Sequence, residues 1–147
     1  MLQYQLVYYS QAKYPFNEQQ LIELLTKANQ FNRTQDITGC MIYGDGKFVQ
    51  LLEGEESRVK ALYKRIERDN RHHSLVVLLE MSVNQKLFPS WGMAFKYSAN
   101  KLPEAEGFND SSQWIYSEFN AEASPGKEAL FNFAVRQGLM QSQVLPY

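Results

Sequence analysis

The sequence predicts an α+β fold: a ferredoxin-like β-α-β-β-α-β-β sandwich with two helices on one sheet face and a C-terminal helical appendage. Three observations predict it. Residues Leu2 to Tyr9 alternate, with Leu2, Tyr4, Leu6 and Tyr8 on one face and Gln3 and Gln5 on the other, the two-residue period of a strand. Two later segments carry apolar residues at helical spacing instead. Between those segments, two apolar runs are joined by Gly44-Asp45-Gly46, a glycine-bearing connection that signals a hairpin.

Each element has its own justification. Pro15 and Asn17 end the first strand, and Asn17 is a good N-cap with Gln20 at the capping-box position. The helix that follows places Leu21, Leu24, Leu25 and Ala28 on one stripe and is expected to end near Phe31-Asn32. Ile37 to Tyr43 and Lys47 to Leu52 read as the hairpin strands. Glu53 to Ser57 supplies acidic and capping residues for a second helix, whose stripe is Val59, Leu62, Tyr63 and Ile66. Asp69 to His73 is a polar loop before a fourth strand, Leu75 to Met81. Phe88-Pro89-Ser90-Trp91 reads as a turn and Met93-Ala94-Phe95 as a short fifth strand. After Asn100, Pro103, Gly107, Pro125 and Gly126 break the pattern. Gly126 to Gln137 alone is clearly amphipathic there, through Leu130, Phe131, Phe133 and Ala134. The expected division is a domain over 1–98 and an extension over 99–147. The extension is expected to pack on the sheet face opposite the two helices, or to mediate oligomerisation, because that face would otherwise expose Val7, Tyr9, Val49 and Leu51.

Composition narrows the function classes. A chain of 147 residues suits one core, and 44% apolar with 21% charged residues excludes wholesale disorder. Fifteen Lys and Arg against sixteen Asp and Glu leave no basic footprint, so direct nucleic-acid binding is not expected. Gly46 to Gln50 only weakly resembles the aromatic strand of an RNA-recognition module. Cys40 has no second cysteine to pair with, and Leu75 to Leu79 is far too short to span a bilayer. With no secretory pattern at the amino terminus, a cytoplasmic location and no membrane association are expected. His72 and His73 lie near Asp69, but no third histidine exists, so no metal site is expected.

Two positions do not fit a plain core. Gln50 shares a strand face with Phe48 and Leu52, and an unpaired buried amide costs roughly 1–3 kcal/mol. Tyr8 ends the apolar face of the first strand with a hydroxyl that wants a partner. Two readings stand at this point. Gln50 lies at a sheet edge and Tyr8 keeps its tip wet, or the two face one interior with Asn32 and form a polar cluster for something flat.

Taken together, several motifs resemble the BLUF domain, the blue-light sensor that uses flavin. They are Leu6-Val7-Tyr8-Tyr9-Ser10, Asn32 followed by Asp36-Ile37-Thr38-Gly39, and Phe48-Val49-Gln50-Leu51-Leu52-Glu53-Gly54. Ile66-Glu67-Arg68-Asp69-Asn70-Arg71-His72-His73 and Phe88-Pro89-Ser90-Trp91-Gly92-Met93 follow in order. The resemblance runs from Leu6 to about Lys96. It implies a flavin ring between the helices and the sheet, with Gln50 bridging Tyr8 and the flavin and Asn32 on the ring's other polar edge. It implies apolar walls from Leu24, Phe48, Leu52 and Ile66, with Ser10 near Trp91 or Gln50. Arg65, Asp69, Arg71 and His72 fall where the family holds the ribityl chain and phosphate, and Trp91 and Met93 where it passes the signal.

The function that follows from the resemblance is a non-enzymatic photoreceptor binding FAD non-covalently, with FMN or riboflavin as possible substitutes. Its switch is a light-driven rearrangement of the Tyr8–Gln50–flavin hydrogen bonds. A flavin-binding oxidoreductase on the same scaffold is the alternative, although no nicotinamide fingerprint is present. A short stand-alone receptor is expected, forming a homo-oligomer and acting on a separate downstream protein.

Overall fold

The computed structural model describes residues 2–87 and 124–139, and 94–97 as backbone. Five strands form one sheet: β1 (Gln3–Ala12), β2 (Thr38–Gly44), β3 (Lys47–Gly54), β4 (His72–Val83) and β5 (Ala94–Tyr97), in the order β4-β1-β3-β2-β5. The first four pair antiparallel, and β5 lies parallel to β2 at the edge. Helices α1 (Glu18–Thr34) and α2 (Glu56–Arg68) are the crossovers that bring β1 and β3 together at the centre.

Local chemistry explains most boundaries. Asn17 caps α1 through a reciprocal box, its Oδ1 accepting from Gln20 N at 2.8 Å while Gln20 Oε1 accepts from Asn17 N at 3.0 Å. At the other end α1 passes Phe31-Asn32 and stops at Thr34, later than its apolar stripe suggests. Asp36 turns left-handed (φ 53°), its N–H donating to Arg33 O at 3.3 Å and Ile37 N–H to Asn32 O at 2.9 Å. That is a Schellman stop with aspartate where glycine is usual, and it needs a turn beyond the last apolar contact. The β2–β3 turn is Asp45-Gly46 alone, not three residues: both have positive φ, at 50° and 72°, and Gly44 already pairs with Lys47. A two-residue turn of this hand matches the twist of its strands.

Two further boundaries differ from expectation. Residue Glu55 occupies the α2 N-cap without a side-chain cap bond, while Glu53 stays in β3. Strand β4 begins at His72, inside the expected loop, because β1 runs on to Ala12 and pairs with it. Two register shifts between β1 and β4 mark irregularities along that edge.

Each sheet face has its own core. Tyr4, Leu6, Tyr8, Met41, Tyr43, Phe48 and Leu52 meet Leu21 and Leu25 of α1 and Val59 of α2. On the other face Val7, Tyr9, Cys40, Ile42, Val49 and Leu51 meet Leu130, Phe131, Ala134 and Leu139. Those last residues belong to or follow a third helix, α3, which runs as Pro125–Lys127, a π-helical stretch Glu128–Asn132 and Phe133–Arg136. Gly126 of α3 lies so close to the sheet that a Cβ there would sit 2.6 Å from Gln5 Oε1. Among the described residues no helix is long and apolar enough to cross a membrane.

Candidate functional site

The helix-covered core is not filled. A cavity of about 300 Å³ opens between α1, α2 and the sheet, at the small end of the range for ligand sites. Tyr8 and Gln50 form its floor. They are direct partners across the central β1–β3 ladder, and Met41 of β2 lies opposite Gln50 on the other side. Strand pairing therefore sets their separation, and the Tyr8 hydroxyl donates to Gln50 Oε1 in a short hydrogen bond. Both are buried, which excludes the reading of Gln50 as a solvent-facing edge residue. Burial, with smaller contributions from Tyr63 and Asp69, pushes the Tyr8 phenol well above its ordinary range. Tyr8 is thus a neutral donor throughout the physiological range. The Tyr63 ring meets it edge-on, centroids 5.5 Å apart.

Asn32 enters the cavity from the last turn of α1, buried, its backbone carbonyl held by Ile37 N–H in the helix stop. Phe48 closes one end as part of an aromatic group with Tyr43 (4.5 Å between centroids) and Phe16 (5.4 Å). Leu24 and Ile66 are apolar walls from the two helices. Leu52, expected as a wall, instead packs wholly inside the core, because it lies one full pleat beyond Gln50. Ser10 also stands behind the wall: it is buried and its Oγ meets His72 Nδ1 at 2.9 Å. The other ring nitrogen of His72, Nε2, donates to Ile66 O at 2.5 Å, since a carbonyl can only accept.

At the mouth, Asp69 and Arg71 are locked together. Arg71 Nε donates to Asp69 Oδ1 and Oδ2 at 2.9 and 3.0 Å, and the Arg71 backbone N–H to Oδ1 at 3.0 Å. The guanidinium holds the Asp69 carboxyl below the usual carboxylate range, and Asp69 raises Arg71 in turn. Arg65 stacks on the Phe31 ring of α1, 4.2 Å from its centroid. Sequence reasoning missed the rim residues Glu23, Lys27 and Phe31 and the inner residues Phe16, Met41 and Leu62. Met41 was legible as the β2 register partner of Gln50; the rim residues carry no local pattern. Trp91 and Met93 lie outside the described residues, as does the Phe88–Trp91 turn. Cys40 is buried on the opposite face, its thiol pushed up by burial. Among the described residues no cluster of His, Cys, Asp and Glu could hold a metal ion.

Two buried amides and a phenol, arranged between apolar walls, suit a flat heteroaromatic ring with donors and acceptors on its edges. The model of the family described as sensors of blue light using FAD, BLUF, matches residues 3–94. The chain belongs to the BLUF family. This description is of a sensor and does not favour the oxidoreductase alternative. BLUF relatives span several architectures. The chain is 34% identical over 85 residues to photoactivated adenylate cyclase subunit alpha of Euglena gracilis, covering 58% of this chain and 8% of that protein. It is 42% identical over 57 residues to the blue light- and temperature-regulated antirepressor BluF of Escherichia coli, covering 39% of this chain and 14% of that one. The chain therefore spans only a small fraction of the curated relatives it matches. In fold it is similar to the dark-state structure of the BLUF protein BlrB, with a TM-score of 0.67 at 20% identity over 93% of this chain and 97% of that one.

Proposed function

We propose that this BLUF chain binds FAD non-covalently in the cavity between α1, α2 and the sheet and signals without enzymatic turnover. The switch is the Tyr8–Gln50 hydrogen bond. The observation that carries this reading is that bond itself, held between paired strands on the floor of a cavity with apolar walls. When bound, a photoexcited flavin supplies a strong oxidant. Tyr8 would be the electron donor to that oxidant, and its phenolic proton would leave along the bond to Gln50. Gln50 carries an acceptor and a donor on one planar group, so rotation or tautomerisation exchanges what it shows to either neighbour. With electron and proton restored to Tyr8, a rearranged amide would remain as the signal, with no net reaction. Asn32 orients the ring from its other polar edge, with Leu24, Phe48 and Ile66 as walls. Trp91 and Met93 are assigned the passage of the signal on the family resemblance alone.

The output belongs to the same reading: a cytoplasmic homo-oligomer acting on a separate downstream protein, with the 99–147 extension packed on the sheet or mediating oligomerisation. The packing of Leu130 and Phe131 under Val49 and Leu51 supports a path from β3 to that extension.

A light-minus-dark absorbance spectrum tests the switch. Tyr8→Phe and Gln50→Leu should stay yellow, because one lost hydrogen bond typically costs only about 1–3 kcal/mol of binding. Neither should show the reversible red shift expected of the wild type. A wild-type shift in Tyr8→Phe would remove Tyr8 as electron donor, and a wild type that takes up no flavin would remove the reading altogether.

A further inference from the structure

The charged groups at the mouth of the cavity are not equivalent, and the difference assigns a residue that the family motifs do not include. Three cations and two carboxylates line it: Lys27, Arg65 and Arg71 against Glu23 and Asp69. Arg71 is already committed to Asp69 through four hydrogen bonds. His72 spends both ring nitrogens on Ser10 and Ile66. Glu23 accepts from Gln19 at 3.1 Å in an exposed hydrogen bond along α1. Lys27 and Arg65 remain, and neither makes an ion pair or hydrogen bond among the described residues. They come from opposite sides of the opening, one on α1 and one on α2. Arg65 is nonetheless positioned, because the Phe31 face holds its guanidinium at 4.2 Å.

We infer that Lys27, acting across the mouth from Arg65, binds the first phosphate of a phosphorylated flavin and sets the preference for such flavins over riboflavin. The inference rests on the flavin reading above. An anion entering the mouth meets two cations whose donors are uncommitted, whereas the Asp69–Arg71 pair is self-neutralised and serves as a fixed wall. A hydrogen bond between charged partners is worth about tenfold in affinity. Being exposed, it should weaken with added salt.

The experiment is a fluorescence titration of the full chain with riboflavin and with FMN, at low and high salt. The variants are Lys27→Gln and Lys27→Arg. Wild type should bind FMN more tightly than riboflavin by at least about tenfold at low salt. Lys27→Gln should lose most of that margin by weakening FMN alone, and Lys27→Arg should keep it. Equal loss for both flavins, or no loss for either, overturns the assignment while leaving the flavin reading intact. A wild-type chain with equal affinity for the two flavins does the same. A chain that binds neither flavin overturns the flavin reading and this assignment with it.

Discussion

The two faces of the central sheet are built from the same three strands and have opposite solutions to burial. On the helix side the side chains stop short of closing the core, leaving a cavity with Tyr8, Gln50 and Asn32 around it. On the other side α3 presses Leu130, Phe131 and Ala134 directly onto Val7, Val49 and Leu51. That filled face also holds polar groups, and it holds them saturated. Glu53 is fully buried, and it accepts from Leu87 N at 2.8 Å, Gln5 Nε2 at 3.1 Å and Thr38 Oγ1 at 3.4 Å. A buried polar group with every partner in the protein is a fastener. One that lines a cavity, as Gln50 does, lies within reach of whatever enters it. The same strand, β3, carries both kinds, three residues apart.

This contrast can be broken most directly by truncating one residue on each face. Phe131→Ala should cost about 3–5 kcal/mol, since the packed face cannot collapse around the loss. Leu24→Ala, at the wall of an existing cavity, should cost well under half as much while weakening flavin binding. Urea unfolding of both variants without added flavin measures the difference, and equal losses would mean that the two faces are packed alike.

A smaller effect is expected at the fastener. Glu53→Ala leaves the Leu87 amide and the Gln5 side chain without their acceptor, at a cost of about 1–3 kcal/mol. Flavin affinity should not change, because none of these groups lines the cavity. A Glu53→Ala variant of wild-type stability but altered flavin affinity would reverse the roles given to the two faces.

The smallest effect belongs to the Asp69–Arg71 pair at the mouth. The folded carboxyl is held below its ordinary value, so its contribution is fully present above the unfolded value of about 4 and is lost as pH falls through the lowered native one. Half-exposed as the arginine is, that contribution should stay below about 1 kcal/mol. The stability gap between wild type and Asp69→Asn should therefore shrink in acid. A gap that widens below pH of about 4 would contradict the sign of the shift.

Which parts were legible in the sequence follows from range. The capping box at Asn17 and Gln20, the helical stripes and the existence of a hairpin turn within Gly44 to Gly46 are encoded within a few residues, so they could be read directly, whereas the two-residue form of that turn shows only in the pairing of Gly44 with Lys47. The α1 stop could not, because Asp36 does the work of a glycine and looks like an ordinary loop residue. Strand β4 was shortened in the reading because its first residues pair only if β1 continues past Tyr9, a decision made across the sheet. At the site, Tyr8 and Gln50 were visible as polar residues on apolar faces, and the ladder then made them neighbours. Lys27 had no such contrast, being a lysine on the exposed side of a helix. Leu52 looked like a wall because alternation tells which face a residue is on but not how far along the cavity extends.

Because Tyr8 and Gln50 meet through strand register, the pair has an uneven tolerance of inherited change. Substitutions in the surrounding walls leave the two side chains opposite each other and can adjust the strength of the contact by small steps. Gain or loss of a single residue between Lys47 and Gln50 is different. It moves Gln50 to the opposite face and brings an aliphatic neighbour to Tyr8, so the contact disappears at once. Lineages of this chain should therefore vary freely in side-chain chemistry around the pair, and in the length of segments outside the sheet, while the spacing from the Asp45-Gly46 turn to Gln50 stays constant. A protein engineer moving the pair into another antiparallel sheet would have to carry over that count before any choice of neighbours.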